Sequence, residues 1–199
     1  MANPDVINMS PEYPLLGLLL KQPTHGYELH QRLETVLGQI WRVSLSQVYN
    51  ILNRLENQGY ICGEVEEQDS LPNRRTFHLT AAGRQRLENW LRGPCGSSIK
   101  AVRVDFLTRL HFARQIDPRL AAALIEQQAA AIRRGLEDLQ AQVPAAGRPE
   151  SVNRLGLALR IRQLDSAAQW LDEIVQQLNL SQSAGAQEMP PAGLREAAA

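Results

Sequence analysis

The stretch S-L-S-Q-V-Y-N-I-L-N-R-L-E-N-Q-G, Ser44 to Gly59, reads as one helix with both ends marked. Ser44 is of the residue type that caps a helix start. Gln47 stands three residues on, where its amide reaches back to the cap backbone and completes a capping box. Gly59 takes the left-handed conformation that commonly ends a helix. Leu45, Val48, Leu52 and Leu55 recur at helical spacing and predict a buried stripe. The opposite face carries Ser46, Gln47, Asn50, Asn53, Arg54 and Asn57. A solvated helix face is usually rich in Glu and Lys; this one is rich in amides and hydroxyls, with a single Arg. Those groups read base edges in a major groove: Asn and Gln pair with adenine, Arg with guanine, Ser with either. The competing reading is an ordinary polar face, and the flanking segments decide between the two.

On the C-terminal side, Tyr60–Glu66 and Arg75–Thr80 are short runs of alternating character, with Ile61, Val65, Phe77 and Leu79 as apolar members. The turn formers Asp69-Ser70-Leu71-Pro72-Asn73 separate them, which predicts a β-hairpin. Thr80 then caps a helix with Leu87, Trp90 and Leu91 facing inward. On the N-terminal side, residues 1–10 form a loose arm ending at the cap Ser10. Pro11 opens a helix that is apolar nearly all round from Leu15 to Leu20. Lys21-Gln22-Pro23 ends it. Thr24 caps a second helix, His25 to Leu37, closed by Gly38, with Tyr27, Leu29, Leu33, Val36 and Leu37 as its core face. The order helix, helix, helix, strand, loop, strand, helix is that of a winged helix-turn-helix. Asn73, Arg74 and Arg75 fall at the wing, where they are candidate phosphate or minor-groove contacts. With the helix residues Ser46, Gln47, Tyr49, Asn50, Asn53 and Arg54 they make up the candidate DNA-binding set.

Three segments in order, Y-P-L-L-G-L-L-L-K-Q-P-T-H-G-Y-E-L, V-Y-N-I-L-N-R-L-E-N-Q-G-Y-I and R-R-T-F-H-L-T-A-A-G-R-Q-R-L, resemble the PadR-type transcriptional regulators over about residues 13–92. The resemblance implies a winged-helix dimer that represses, sometimes activates, genes. Gly26-Tyr27-Glu28-Leu29 matches the family's second-helix signature. Tyr49 matches the tyrosine of its recognition helix, which lies near the DNA backbone. Phe77-His78 departs from the tyrosines often found there, so a role for wing aromatics is not supported. Some members bind aromatic or drug-like effectors near the dimer interface, and Trp41 is the first candidate here for such a pocket.

Arg92–Ser98, R-G-P-C-G-S-S, reads as a linker. Beyond it, Lys100–Ala113 forms a helix with Phe106, Leu107 and Leu110 inward. Asp117-Pro118 starts a long helix to about Gln142, with Ile125, Ile132, Leu136 and Leu139 on one face. After the Pro- and Gly-containing loop 143–150, Ser151 caps a last helix to about Leu180. There Leu157, Ile161, Leu164, Ala168, Leu171, Val175 and Leu178 alternate spacings of four and three, the heptad seam of a coiled coil. That seam predicts packing against a second copy; packing inside the same chain is the other reading. The resemblance extends to this half through F-L-T-R-L-H-F-A and W-L-D-E, and implies helical dimerisation, usually with the first helix involved. Residues 181–199 are Ser, Gln, Ala, Pro and Gly with little to bury, and read as a disordered tail.

The fold class expected is therefore mainly α. A winged helix-turn-helix domain (11–92) with a small hairpin wing is joined by a linker (93–99) to an α-helical dimerisation domain (100–180). The 199 residues carry no net charge, and residues 1–95 hold nine Lys and Arg against ten Asp and Glu. That argues against a strong non-specific nucleic-acid binder but not against one whose few Arg are clustered. No run of about 18 apolar residues suggests a membrane span, and the N-terminus lacks a secretion pattern. A reducing cytoplasm is expected, since Cys62 and Cys95 are too few for a disulfide framework. Cys62 is expected to be a small buried residue, and Cys95 an inert or an exposed, oxidisable linker thiol. His25, His30, His78 and His111 are scattered, with no ligand spacing and no nucleophile–base pair, so no metal, cofactor or catalytic set is expected. The partners expected are double-stranded DNA, a second copy and a small aromatic effector. A helical scaffold without DNA is the alternative, but a scaffold has no reason to set Arg74-Arg75 beside Gln47, Asn50 and Arg54.

Overall fold

The structure, a computed structural model, describes residues 10–66 and 74–185; the arm 1–9, the wing tip 67–73 and residues 186–199 lie outside it. Helix α1 (Glu12–Leu19) begins after Ser10, whose Oγ accepts from the Glu12 N–H, and its leucines are buried on all sides. Strand β1 (Thr24–His25) follows, then α2 (Gly26–Leu37) and α3 (Leu45–Asn57). Strands β2 (Ile61–Glu66) and β3 (Arg74–Leu79) form the wing, and α4 (Ala81–Leu91) closes this half, capped by Thr80 as the sequence predicts. The sheet is antiparallel in the order β1-β3-β2, with Thr24 opposite Phe77 and Ile61 opposite Leu79.

Thr24 does not cap α2: it and His25 pair with β3, and the Thr24 hydroxyl donates to Glu28 at 2.7 Å. Tyr27 and Val36 are not core; they are 55% and 44% exposed, because α2 buries only the stripe Gly26, Leu29, Leu33 and Leu37. Ile61 of β2 and Phe77 of β3, which stands opposite Gly63, face the core, whereas Val65 is exposed. Cys62 points outward, since adjacent strand residues face opposite ways and Ile61 takes the inner position.

The second half opens with a π-helical turn, Ala101–Phe106, which continues into α5 (Leu107–Ile116). Helix α6 (Pro118–Ala141) starts at the predicted Asp117 cap, whose carboxylate accepts from the Arg119 N–H. Helix α7 (Val152–Gly185) packs back on α6 as a helical hairpin. It runs five residues beyond the predicted end at Leu180, so the expected tail from 181 begins as helix. Leu157, Leu164 and Leu171 are 7%, 5% and 1% exposed, buried in a cluster with Phe106, Leu124, Ile132 and Leu139 of the same chain, and Ile161 and Ala168 pack against it half-buried. Val175 is half-buried and the side chain of Leu178 lies outside the described residues. The part of the seam from Leu157 to Leu171 thus packs within one chain. The inner face of a helical hairpin carries the same three-and-four spacing as a coiled coil, and spacing alone does not separate them.

A second core cluster unites α1, α2, α3, α4 and the sheet, and Phe112 of α5 belongs to it. The intervening segment 93–99 is strapped down. Arg109 donates to the carbonyls of Gly93 (2.8 Å) and Pro94 (3.2 Å), and buried Gln128 donates to Gly96 (3.0 Å).

Candidate nucleic-acid interface

The start of α3 is fixed from both sides. The Gln47 N–H donates to Ser44 Oγ (3.3 Å), and the Ser44 N–H donates to Gln47 Oε1 (2.9 Å), completing the capping box. Gly59, at φ +73°, ends the helix and turns the chain into β2. Val48, Ile51, Leu52 and Leu55 bury the inner face; Leu45 is only half-buried. Outward stand Ser46, Gln47, Tyr49, Asn50, Asn53 and Arg54, all exposed. The capping box has a chemical consequence. Reading adenine takes both the carbonyl and the NH2 of an amide, and the Gln47 carbonyl is already committed to Ser44. Asn50 carries no such bond among the described hydrogen bonds and stands one turn further along the same face.

Tyr49 lies against the start of α2. A Cβ on Gly26 would stand 2.6 Å from its ring, so only glycine lets the ring settle there. His25 ties that start to the wing, its Nδ1 lying 3.3 Å from the Arg75 carbonyl and 3.2 Å from Thr76 Oγ1.

Both described arginines of the interface have carboxylate partners. Arg54 Nε donates to Glu12 Oε1 (2.7 Å), while Arg86 of α4 donates to Glu12 Oε2 (2.9 Å). Glu12 is 5% exposed, so α1 supplies a buried carboxylate that joins α3 to α4. Arg86 lies over the Tyr60 ring at 4.5 Å, and Tyr13 stacks on Trp90 beside it at 4.5 Å. Arg75 donates to Glu56 Oε1 (2.6 Å), and the same oxygen accepts the Gly63 N–H (2.9 Å). The sequence reading missed Glu12 and Glu56. Glu12 sits 42 residues from Arg54, and no local spacing signals such a pair. Arg74 opens β3 opposite Glu66, and Asn73 lies outside the described residues.

Trp41 sits between the halves. Its Nε1 donates to Thr108 Oγ1 (2.8 Å), and that hydroxyl donates to the Val104 carbonyl (2.6 Å). Beside it a cleft of about 810 Å³ is lined by His30, Glu34, Trp41, Arg42, Val43 and Gln47. Cys95 is partly buried, and burial, the largest influence, pushes its thiol up, away from the thiolate that oxidation requires. Among the described residues, no three His, Cys, Asp or Glu lie together as a metal set, and no helix is long and apolar enough to cross a membrane.

These features define a winged helix-turn-helix protein whose recognition helix and hairpin lie side by side, followed by a C-terminal helical region. Residues 15–89 match the model of the transcriptional regulator PadR-like family, and residues 102–179 match the family described as virulence activator alpha, C-terminal. The negative transcriptional regulator PadR of Bacillus subtilis (strain 168) is 26% identical over 175 residues, covering 82% of this chain and 94% of that protein. A probable transcriptional regulator of Mycobacterium tuberculosis is 27% identical over 188 residues, covering 85% of this chain and 98% of that one. The crystal structure of B. subtilis PadR in complex with operator DNA is similar with a TM-score of 0.41 at 26% identity, over 83% of this chain and 97% of that chain.

Proposed function

We propose that the protein is a cytoplasmic transcriptional repressor, without catalysis of its own, that binds a two-fold operator in double-stranded DNA as a homodimer. The observation that carries this is the outer face of α3: hydroxyl and amide side chains, exposed in a row, on a helix fixed at both ends beside a hairpin. Ser46, Asn50 and Asn53 are the base readers. Gln47 sets the helix start and offers its NH2, Tyr49 meets the backbone, and Asn73, Arg74 and Arg75 grip backbone or minor groove. Asn50→Ala should cost about 1–3 kcal/mol on the operator and relax preference at particular base pairs. Titrating that variant against the duplex upstream of its own coding sequence, single-base variants of it and a scrambled duplex checks this. A uniform loss on all of them would show that Asn50 does not read.

The dimer reading moves to a different face of α7. Val152, Leu155 and Leu159 are 82%, 59% and 58% exposed and lie at helical spacing opposite the buried leucines. We assign this row to the second copy. Leu155→Glu with Leu159→Glu should give a folded monomer by light scattering, because both side chains are mostly exposed in their own chain. The native protein running as a monomer at micromolar concentration would reject the assignment.

An aromatic effector fits the cleft at Trp41, which adjoins both Thr108 of the helical half and the capping residue Gln47. A hydroxylated benzoate should shift tryptophan emission in the native protein and not in Trp41→Phe. Equal shifts in both would place the effector elsewhere.

A further inference from the structure

Building on the DNA-binding reading above, we propose that Glu56 is a specificity-determining residue: it masks the Arg75 guanidinium from DNA of arbitrary sequence and yields it only where the operator also supplies base contacts. Glu56 is held from two directions, by Arg75 at 2.6 Å and by the Gly63 N–H at 2.9 Å, and its side chain is 23% exposed, so the carboxylate is fixed in place. Arg75 is folded inward toward α3. Its guanidinium lies over the Phe77 ring at 5.4 Å and crosses Gly63, where a Cβ would stand 2.4 Å from Nε. Any other residue at 63 would lift the arginine off this path.

A phosphate approaching Arg75 meets a carboxylate bonded to the same guanidinium. Like charges oppose the approach, and a duplex that offers only phosphates has nothing to set against that cost. An operator that also bonds Asn50 and its neighbours does. Arg54 repeats the arrangement with Glu12, and the charge balance of residues 1–95 fits a surface built to avoid indiscriminate DNA binding.

The test uses the full chain, the duplex upstream of its own coding sequence and a scrambled duplex, across a salt series. Glu56→Gln keeps an acceptor for the Gly63 N–H and removes the charge. It should raise affinity for the scrambled duplex about tenfold at 0.1 M salt and steepen the salt slope by about one, as one added phosphate contact does. Operator affinity should rise less, so discrimination shrinks. Arg75→Gln should abolish the gain in that background, and alone should change scrambled-duplex binding less than about twofold, since a masked cation contributes little there. Glu137→Gln, exposed on α6, makes the same change in net charge and should do none of this. The proposal is overturned if Glu56→Gln leaves scrambled-duplex affinity and slope unchanged, or if Glu137→Gln matches it. Should Glu56→Gln fail to fold, a tenfold loss on scrambled DNA from Arg75→Gln alone overturns it as well. A native protein that does not distinguish the two duplexes would instead remove the DNA reading on which this rests.

Discussion

Replacing Asp105 with Ala should destabilise the protein by about 3–5 kcal/mol, the cost of leaving a buried charge without its partner. Asp105 and Arg109 are each 3% exposed; Arg109 Nε lies 2.9 Å from Asp105 Oδ2. Trp90 of α4 donates its indole N–H to Asp105 Oδ1 at 3.0 Å, and the Arg109 guanidinium lies over that indole at 5.2 Å. The pair therefore ties the π-helical turn and α5 to the last helix of the winged domain. Burial, the largest influence, lifts the Asp105 carboxyl above the usual range against the opposing pull of Arg109 and Trp90. Desolvation thus outweighs attraction. It follows that replacing both partners, Asp105→Leu with Arg109→Met, should cost far less than Asp105→Ala alone, because no unpaired charge remains. The sign of the pH dependence follows too. An Asp whose folded pKa is raised ionises first in the unfolded chain, so its contribution to stability is fully present below the usual Asp range and is lost as pH climbs through the folded value. Urea titrations of the native protein and both variants test this. A double replacement as damaging as the single one would mean that the ion pair itself holds the joint.

What the sequence made legible was local. The capping box of α3, the caps Thr80 and Asp117, the left-handed Gly59 and the alternation of the wing strands each depend on residues a few positions apart. The places where the reading fell short depend on distant partners. Thr24 is a cap type, and only β3, some fifty residues on, makes it a strand. Cys62 alternates with Ile61, and which of two neighbours turns inward is set by what lies beneath them. Arg54 and Arg75 read as DNA contacts, and it takes the folded chain to bring Glu12 and Glu56 to them. The heptad spacing of α7 marks a helix that packs along its length, without saying on which chain. The row left outside, Val152, Leu155 and Leu159, has no regularity that a longer apolar helix would lack.

Phe112→Ala should cost about 3–5 kcal/mol, as truncating a buried Phe does. Phe112 is 3% exposed and belongs by chain order to α5, yet it packs in the core of the winged domain. Its ring lies on Gly17 of α1 so closely that a Cβ there would stand 2.4–2.6 Å from three ring atoms. Gly17 is thus a socket, and Gly17→Ala should overpack it at about 1–3 kcal/mol. The two effects share one space, so they cannot be independent. Gly17→Ala combined with Phe112→Leu should recover part of the summed loss, with a coupling of about 0.5–3 kcal/mol in a double-mutant cycle. Helix α1 also carries Glu12, which holds Arg54 on the recognition helix. Loosening Phe112 from its socket should therefore weaken operator binding although residue 112 is buried away from the reading face. Losses that add within about 0.5 kcal/mol would show that the ring and the glycine are not in contact in solution. Operator affinity unchanged in folded Phe112→Ala would show that the joint does not position α3.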